Sequence, residues 1–134
     1  MKTPKFYKKD GTEDTARSKR YARIVSGIGH LAGTSVKCPA LGGVPVIITK
    51  HSIDEIAFHA SKSAKSTAAA LDVVNQIKTC TNPRLSKPKS NRQLKAFKFI
   101  VVFTMTGIYH TDTTKVTVGL KTNSKYIQYC LTVQ

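Results

Sequence analysis

Read from its first residue, the chain moves from stretches without apolar rhythm into stretches where the rhythm is plain. Between Met1 and Arg23 apolar residues are few and Lys2, Lys5, Lys8, Lys9, Arg17, Lys19, Arg20 and Arg23 dominate. This composition predicts a basic arm or linker outside the core, leaving 24–134 as a single domain. Ile24 to Lys50, "IVSGIGHLAGTSVKCPALGGVPVIITK", mixes short apolar runs with Gly33, Pro39, Gly42, Gly43 and Pro45. Loops with at most short extended pieces are expected there. Its Gly-Ile-Gly lacks the rest of a dinucleotide-binding fingerprint, so that function is excluded.

Helical spacing begins with "HSIDEIAFHA". Ser52 followed three residues later by Glu55 reads as a capping box, and Ile53, Ile56, Ala57 and Ala60 form one apolar stripe. A second helix is predicted from about Ser66 through "STAAALDVVNQIK", burying Ala70, Val73 or Val74, and Ile77. "TNPRLSKPKSNRQ", with two prolines and Arg84, Lys87, Lys89 and Arg92, reads as an exposed basic connector.

Beyond it the period shortens to that of strands. "KAFKFIVVFTMTG" is β-branched and aromatic, "TKVTVGL" and "KYIQYCLTVQ" alternate, and "TNS" between the last two is a hairpin turn. The expected fold is α+β: two N-terminal helices packed on one face of an antiparallel sheet. Strict alternation turns Val116, Val118, Leu120, Ile127, Tyr129, Leu131 and Val133 toward the helices. Lys115, Thr117, Gly119, Tyr126, Gln128, Cys130 and Thr132 are left on a polar face suited to a ligand.

Charge then narrows the function. Among 134 residues, 22 Lys and Arg face 7 Asp and Glu, a net charge of +15, and only Asp72 and Asp112 are acidic after Glu55. Such a field points to a polyanionic partner, nucleic acid first. The longest apolar run, Phe99 to Phe103, is far short of the roughly 20 residues of a membrane helix, and no membrane partner is expected. No secretion signal is visible, so targeting information for an exported protein is expected upstream on a longer parent or on another chain. Cys38, Cys80 and Cys130 are too sparse for a disulfide framework or a CxxC zinc site, and buried reduced thiols are the expectation.

RNA cleavage by the 2′-hydroxyl needs a base, an acid and cations around the phosphorane. No carboxylate pair is apparent, which leaves histidine as the neutral-pH proton carrier. His51 and His59, bracketing the first helix, are the acid–base candidates. "HASKSAKST" adds Ser61, Lys62, Lys65 and Ser66 where the second helix's N-terminus can receive a phosphate. On the polar sheet face Thr117, Tyr126, Lys115 and Gln128 are placed to position the strand. His30 and His110, in a glycine-rich loop and a turn, have no companion at ligand spacing, so no metal is expected.

Two stretches, "KHSIDEIAFHASKSAKSTAAAL" and "TTKVTVGLKTNSKYIQYCLTV", together resemble the superfamily grouping barnase, EndoU, colicin ribonucleases and RelE. The resemblance implies two helices on one face of a four- to five-stranded antiparallel sheet, with RNA cut on the other. It implies a C-terminal toxin domain of contact-dependent inhibition or other polymorphic toxin systems, or of phage polyvalent proteins. Such a domain is delivered or secreted, acts in the target-cell cytoplasm, uses no cofactor and is neutralised by a cognate immunity protein. The EndoU branch is nearest in chemistry and carries catalytic roles to His51, His59, Lys62, Thr117 and Tyr126, with His30 as the substitute for His51. The function expected is thus a metal-independent ribonuclease cutting RNA, transfer RNA first, to a 2′,3′-cyclic phosphate. A net charge of +15 further implies an acidic immunity protein. The rival reading is a non-catalytic nucleic-acid-binding module; a deoxyribonuclease ranks lower, for want of a metal cluster.

Overall fold

A computed structural model describes residues 4–134; Met1 to Thr3, including Lys2 of the expected basic arm, lie outside the described residues. The rest of that arm is ordered structure. Asp14 accepts a hydrogen bond from the Arg17 backbone N–H and starts α1 (Thr15–Ile28), whose Tyr21, Ile24 and Ile28 form a buried stripe. Phe6 is buried beside the Tyr21 ring at a centroid distance of 5.7 Å. The expectation of an arm outside the core is therefore corrected: Arg17, Lys19, Arg20 and Arg23 lie on an amphipathic helix, and their charge obscures three large apolar side chains spaced to bury together.

A short 3₁₀ turn leads into β1 (Thr34–Cys38) and β2 (Val44–Ile48), an antiparallel hairpin with Cys38 opposite Val44. Its turn places Gly42 and Gly43 at φ values of 78° and 83°, which residues with a Cβ rarely adopt. α2 (Lys50–Ala60) follows. Its N-cap is Thr49, with Ser52 as the reciprocal partner three residues on, not Ser52 paired with Glu55 as the sequence suggests. Ile53, Ile56, Ala57 and Ala60 are buried as their spacing predicts. The single second helix expected from Ser66 is two short ones. α3 (Ala64–Ala70) starts at the Ser63 cap, and α4 (Val73–Thr79) restarts after Leu71 and Asp72, burying Val73 and Ile77.

The expected basic connector contains a strand, β3 (Thr81–Ser86), before a π-helical turn at Arg92–Ala96. The long strands β4 (Phe99–Tyr109), β5 (Asp112–Lys121) and β6 (Tyr126–Val133) complete one sheet of order β1-β2-β6-β5-β4-β3. The fold is α+β as expected, but the sheet has six strands and is mixed, because β2 runs parallel to β6. That parallel seam is only Val46 opposite Tyr126 and Ile47 opposite Ile127. Farther along β6 the helices take over the strand's open edge, and the Val133 N–H donates to Ser66 Oγ at 2.9 Å. α2 thereby comes alongside β6, and its side chains can reach past the edge to the far face of the sheet.

The main core joins α1, α2 and α4 to the near face of the sheet through Ile24, Ile56, Ile77, Met105, Val116, Val118 and Leu131. Each such burial contributes about 1.5–3 kcal/mol. A separate cluster of Phe97, Phe99, Val102, Ile127 and Tyr129 forms on the other face. The division follows from a register shift between Thr117 and Val118, where β6 gains one residue against β5: Thr117 pairs with Cys130 but Val118 with Gln128. The bulge offsets the alternation. Ile127 and Tyr129, expected under the helices, join the far-face cluster, while Tyr126, expected on the ligand face, packs on Phe103 and the main core.

Candidate active site

The far face of the sheet, the end of α2 and the β3–β4 connector enclose a cleft of about 330 Å³. Val102, Thr104, Lys115, Thr117, Cys130 and Thr132 form its floor, and Ser86, Lys89, Ser90 and Gln93 form the wall. His59 and Tyr129 close one end and also line a neighbouring, more apolar recess of about 340 Å³ with Glu55, Phe58 and Arg92. The opposite end opens into a polar groove of about 560 Å³ bounded by Arg84, Lys89 and Lys115. The three spaces share lining residues and form one continuous trench, apolar at one end and cationic at the other.

Chemistry concentrates at the His59 end. Glu55 lies one turn before His59 on α2, so both project from the same side of the helix. The Glu55 side chain is 2% exposed, its Oε2 lies 3.2 Å from His59 Nε2, and its Oε1 is ion-paired to the Arg92 guanidinium from the connector. Burial pushes the Glu55 carboxyl pKa up, but the hydrogen bonds from His59 and Arg92 outweigh it and hold the pKa below the usual carboxylate value. An ionised carboxylate at Nε2 favours the tautomer with hydrogen there, so neutral His59 presents the Nδ1 lone pair. The His59 side chain, 31% exposed, remains open to the cleft.

Tyr129 stands 6.2 Å from the His59 ring, centroid to centroid, and is walled by Phe97 and Phe99. Burial raises its phenol pKa, so the hydroxyl stays protonated at neutral pH and serves as a donor. Burial likewise pushes the Cys130 thiol up to about 12, leaving it inert as a nucleophile. Around these groups Lys89, Lys115 and the 64%-exposed side chain of Arg92 supply cations, while Thr117, Ser90 and Thr104 supply hydroxyls.

Of the residues expected at the site, the cleft gathers His59, Thr117 and Lys115. His51 stands apart: its ring meets the edge of Phe97 and lines a different recess with Thr49, Lys121 and Ile127. It lies in the first turn of α2, more than two turns from His59, so the structure does not bring the two histidines together; the partner of His59 is the Glu55 carboxylate. His30 is exposed in the 3₁₀ turn after α1 and belongs to none of these spaces. The polar groups expected at the helix junction are engaged within the fold. Ser61 is buried, with its Oγ accepting from Arg17 and its carbonyl from Arg20, and Ser66 is spent on the Val133 N–H. Lys65 pairs with Asp112 at 3.5 Å, and Lys62 reaches over the Phe58 ring at 5.8 Å. Tyr126 faces the main core, and Gln128, wholly buried opposite Val118, donates to the Cys130 carbonyl.

Sequence reasoning passed over Glu55, Arg92 and Tyr129. The Glu55–His59 spacing of four was the available signal, masked because Glu55 also fitted a capping box. Among the described residues no group of three or more His, Cys, Asp or Glu is placed to hold a metal ion, and no helix is long and apolar enough to cross a membrane. Comparison with protein-family models, with curated proteins and with solved structures finds no match.

Proposed function

We propose that the chain is a metal-independent endoribonuclease of the toxin type, cutting RNA by attack of a 2′-hydroxyl on the adjacent phosphate. The products are a 2′,3′-cyclic phosphate and a free 5′-hydroxyl. One observation carries the reading: a buried carboxylate, held ionised by Arg92, orients the only histidine of a cation-lined trench beside a neutral tyrosine. His59 Nδ1 takes the 2′-hydroxyl proton, and Glu55 stabilises the imidazolium that forms. Arg92, Lys89 and Lys115 hold the charge that grows on the phosphorane, with Thr117 donating to it. Tyr129 gives its proton to the departing 5′-oxygen, an alkoxide more basic than a phenolate, and recovers one from His59 through solvent. Glu55 is the positioning residue in this scheme.

The likeness of residues 50–71 and 113–133 to the barnase, EndoU, colicin and RelE ribonucleases points the same way. It adds transfer RNA as first substrate, delivery into a target cell's cytoplasm and an acidic immunity protein as partner. The test is incubation with total RNA and with purified transfer RNA in EDTA. Cleavage with cyclic-phosphate ends is expected, lowered about 10²–10⁴-fold in His59→Ala. Intact RNA at micromolar protein would sink the enzymatic reading. RNA bound but uncut, with His59→Ala silent, would leave the same surface as a nucleic-acid-binding module.

A further inference from the structure

We propose that Cys38 and Cys80 form a cross-link site: when the chain folds in the presence of a disulfide oxidant, their thiols join in one intramolecular disulfide. The two Sγ atoms lie 3.9 Å apart in the main core, although the residues are 42 positions apart in sequence. Cys38 ends β1 and Cys80 caps α4, so the link would tie the hairpin at one edge of the sheet to the last helix. The roughly 2.05 Å of a disulfide is shorter than this 3.9 Å approach, so the two sulfurs must draw closer as the bond forms. The third thiol, Cys130, packs with the far-face cluster and lines the cleft. The pairing is therefore unambiguous.

In the reaction the two S–H bonds break, one S–S bond forms, and two electrons with two protons pass to the oxidant. Oxidised glutathione would leave as two thiols. Timing follows from burial. Both sulfurs are shut off from solvent in the folded chain, and burial beside a second thiol pushes Cys80 up to about 12, so little thiolate exists to attack an oxidant. The bond forms as the core closes, when the hairpin and α4 have met but an oxidant still has access, and the finished core then shields it from reductants as it shields the thiols from oxidants. Neither cysteine lines the cleft, so the inference stands apart from the ribonuclease reading.

The experiment unfolds the reduced chain and refolds it by dilution into a mixture of oxidised and reduced glutathione. Free thiols are then blocked and peptides are mapped by mass spectrometry. Before blocking, the expected product is about 2 Da lighter than the reduced chain; after blocking it carries a Cys38–Cys80 linked peptide and the blocking group on Cys130 alone. Its Tm should exceed that of the reduced chain by on the order of 5–10 °C. Cys38→Ser should lose both signals and Cys130→Ser should keep them. Protein made in an oxidising compartment of an expression host gives the same peptide map without a refolding step. Three blocked thiols after either route, or links through Cys130 in place of Cys38–Cys80, would overturn the proposal.

Discussion

Glu55 joins His59 to Arg92 at one end of the cleft, and its titration has a definite sign. Its folded pKa lies below the unfolded value near 4.5, so the native state holds fewer protons in the interval between the two. The stability it contributes is fully present above about pH 4.5 and is lost as pH falls through the lower, folded value. Thermal melts from pH 7 to 3 should show little dependence on this group above about pH 5 and a decline below it, attenuated in Glu55→Gln. At neutral pH Glu55→Gln should cost about 1–3 kcal/mol, because Arg92 and His59 lose their charged acceptor. RNA cleavage should fall with it, the pH–rate profile moving as well as the rate, since the amide no longer holds the imidazole in one tautomer. Gly119 offers a test at a single methyl group. A Cβ there would lie 2.3 Å from the Phe99 ring, so Gly119→Ala must displace a buried aromatic and should cost about 1–3 kcal/mol in chemical denaturation.

Among the elements, α1 departs farthest from what its sequence suggests. Arg17 donates to the Phe58 carbonyl and Ser61 Oγ, and Arg20 to the Ser61 carbonyl, so α1 satisfies the C-terminal end of α2, which carries His59. Tyr21→Ala should destabilise the fold by about 3 kcal/mol, read by denaturant titration; a silent substitution would restore the picture of a dispensable arm. Periodicity revealed α2 and the strands β4 to β6 because each carries an uninterrupted apolar pattern of its own. It did not reveal α1, where charge density hides a stripe of three residues, or β3, whose residues are nearly all exposed and have no face to bury. Nor did it foresee the bulge. Alternation assigns faces only while every residue has a partner, and one unpaired residue near Gln128 and Tyr129 replaces the expected Tyr126 with Tyr129. Thr117 and Lys115, on the strand opposite, keep their expected face and reach the site.

Of the 22 Lys and Arg in the whole molecule, four bear on the cleft. Arg84, Lys89, Arg92 and Lys115 line one trench, while Asp112 is engaged by Lys65 and Glu55 by Arg92. Four phosphate contacts on a single strand give an expected slope of about −3 for log affinity against log salt concentration. Reversing Arg84 and Lys89 together to Glu should flatten that slope and weaken RNA binding, measured by fluorescence anisotropy at several salt concentrations. The extra residue in β6 bears on how the chain tolerates changes of length. A residue added to the exposed Thr122–Lys125 turn adjusts a loop and leaves the strands in step. A residue deleted between Tyr126 and Tyr129 leaves strand, helices and charge in place but turns the phenol inward, giving a protein that folds around a cleft with no tyrosine in it.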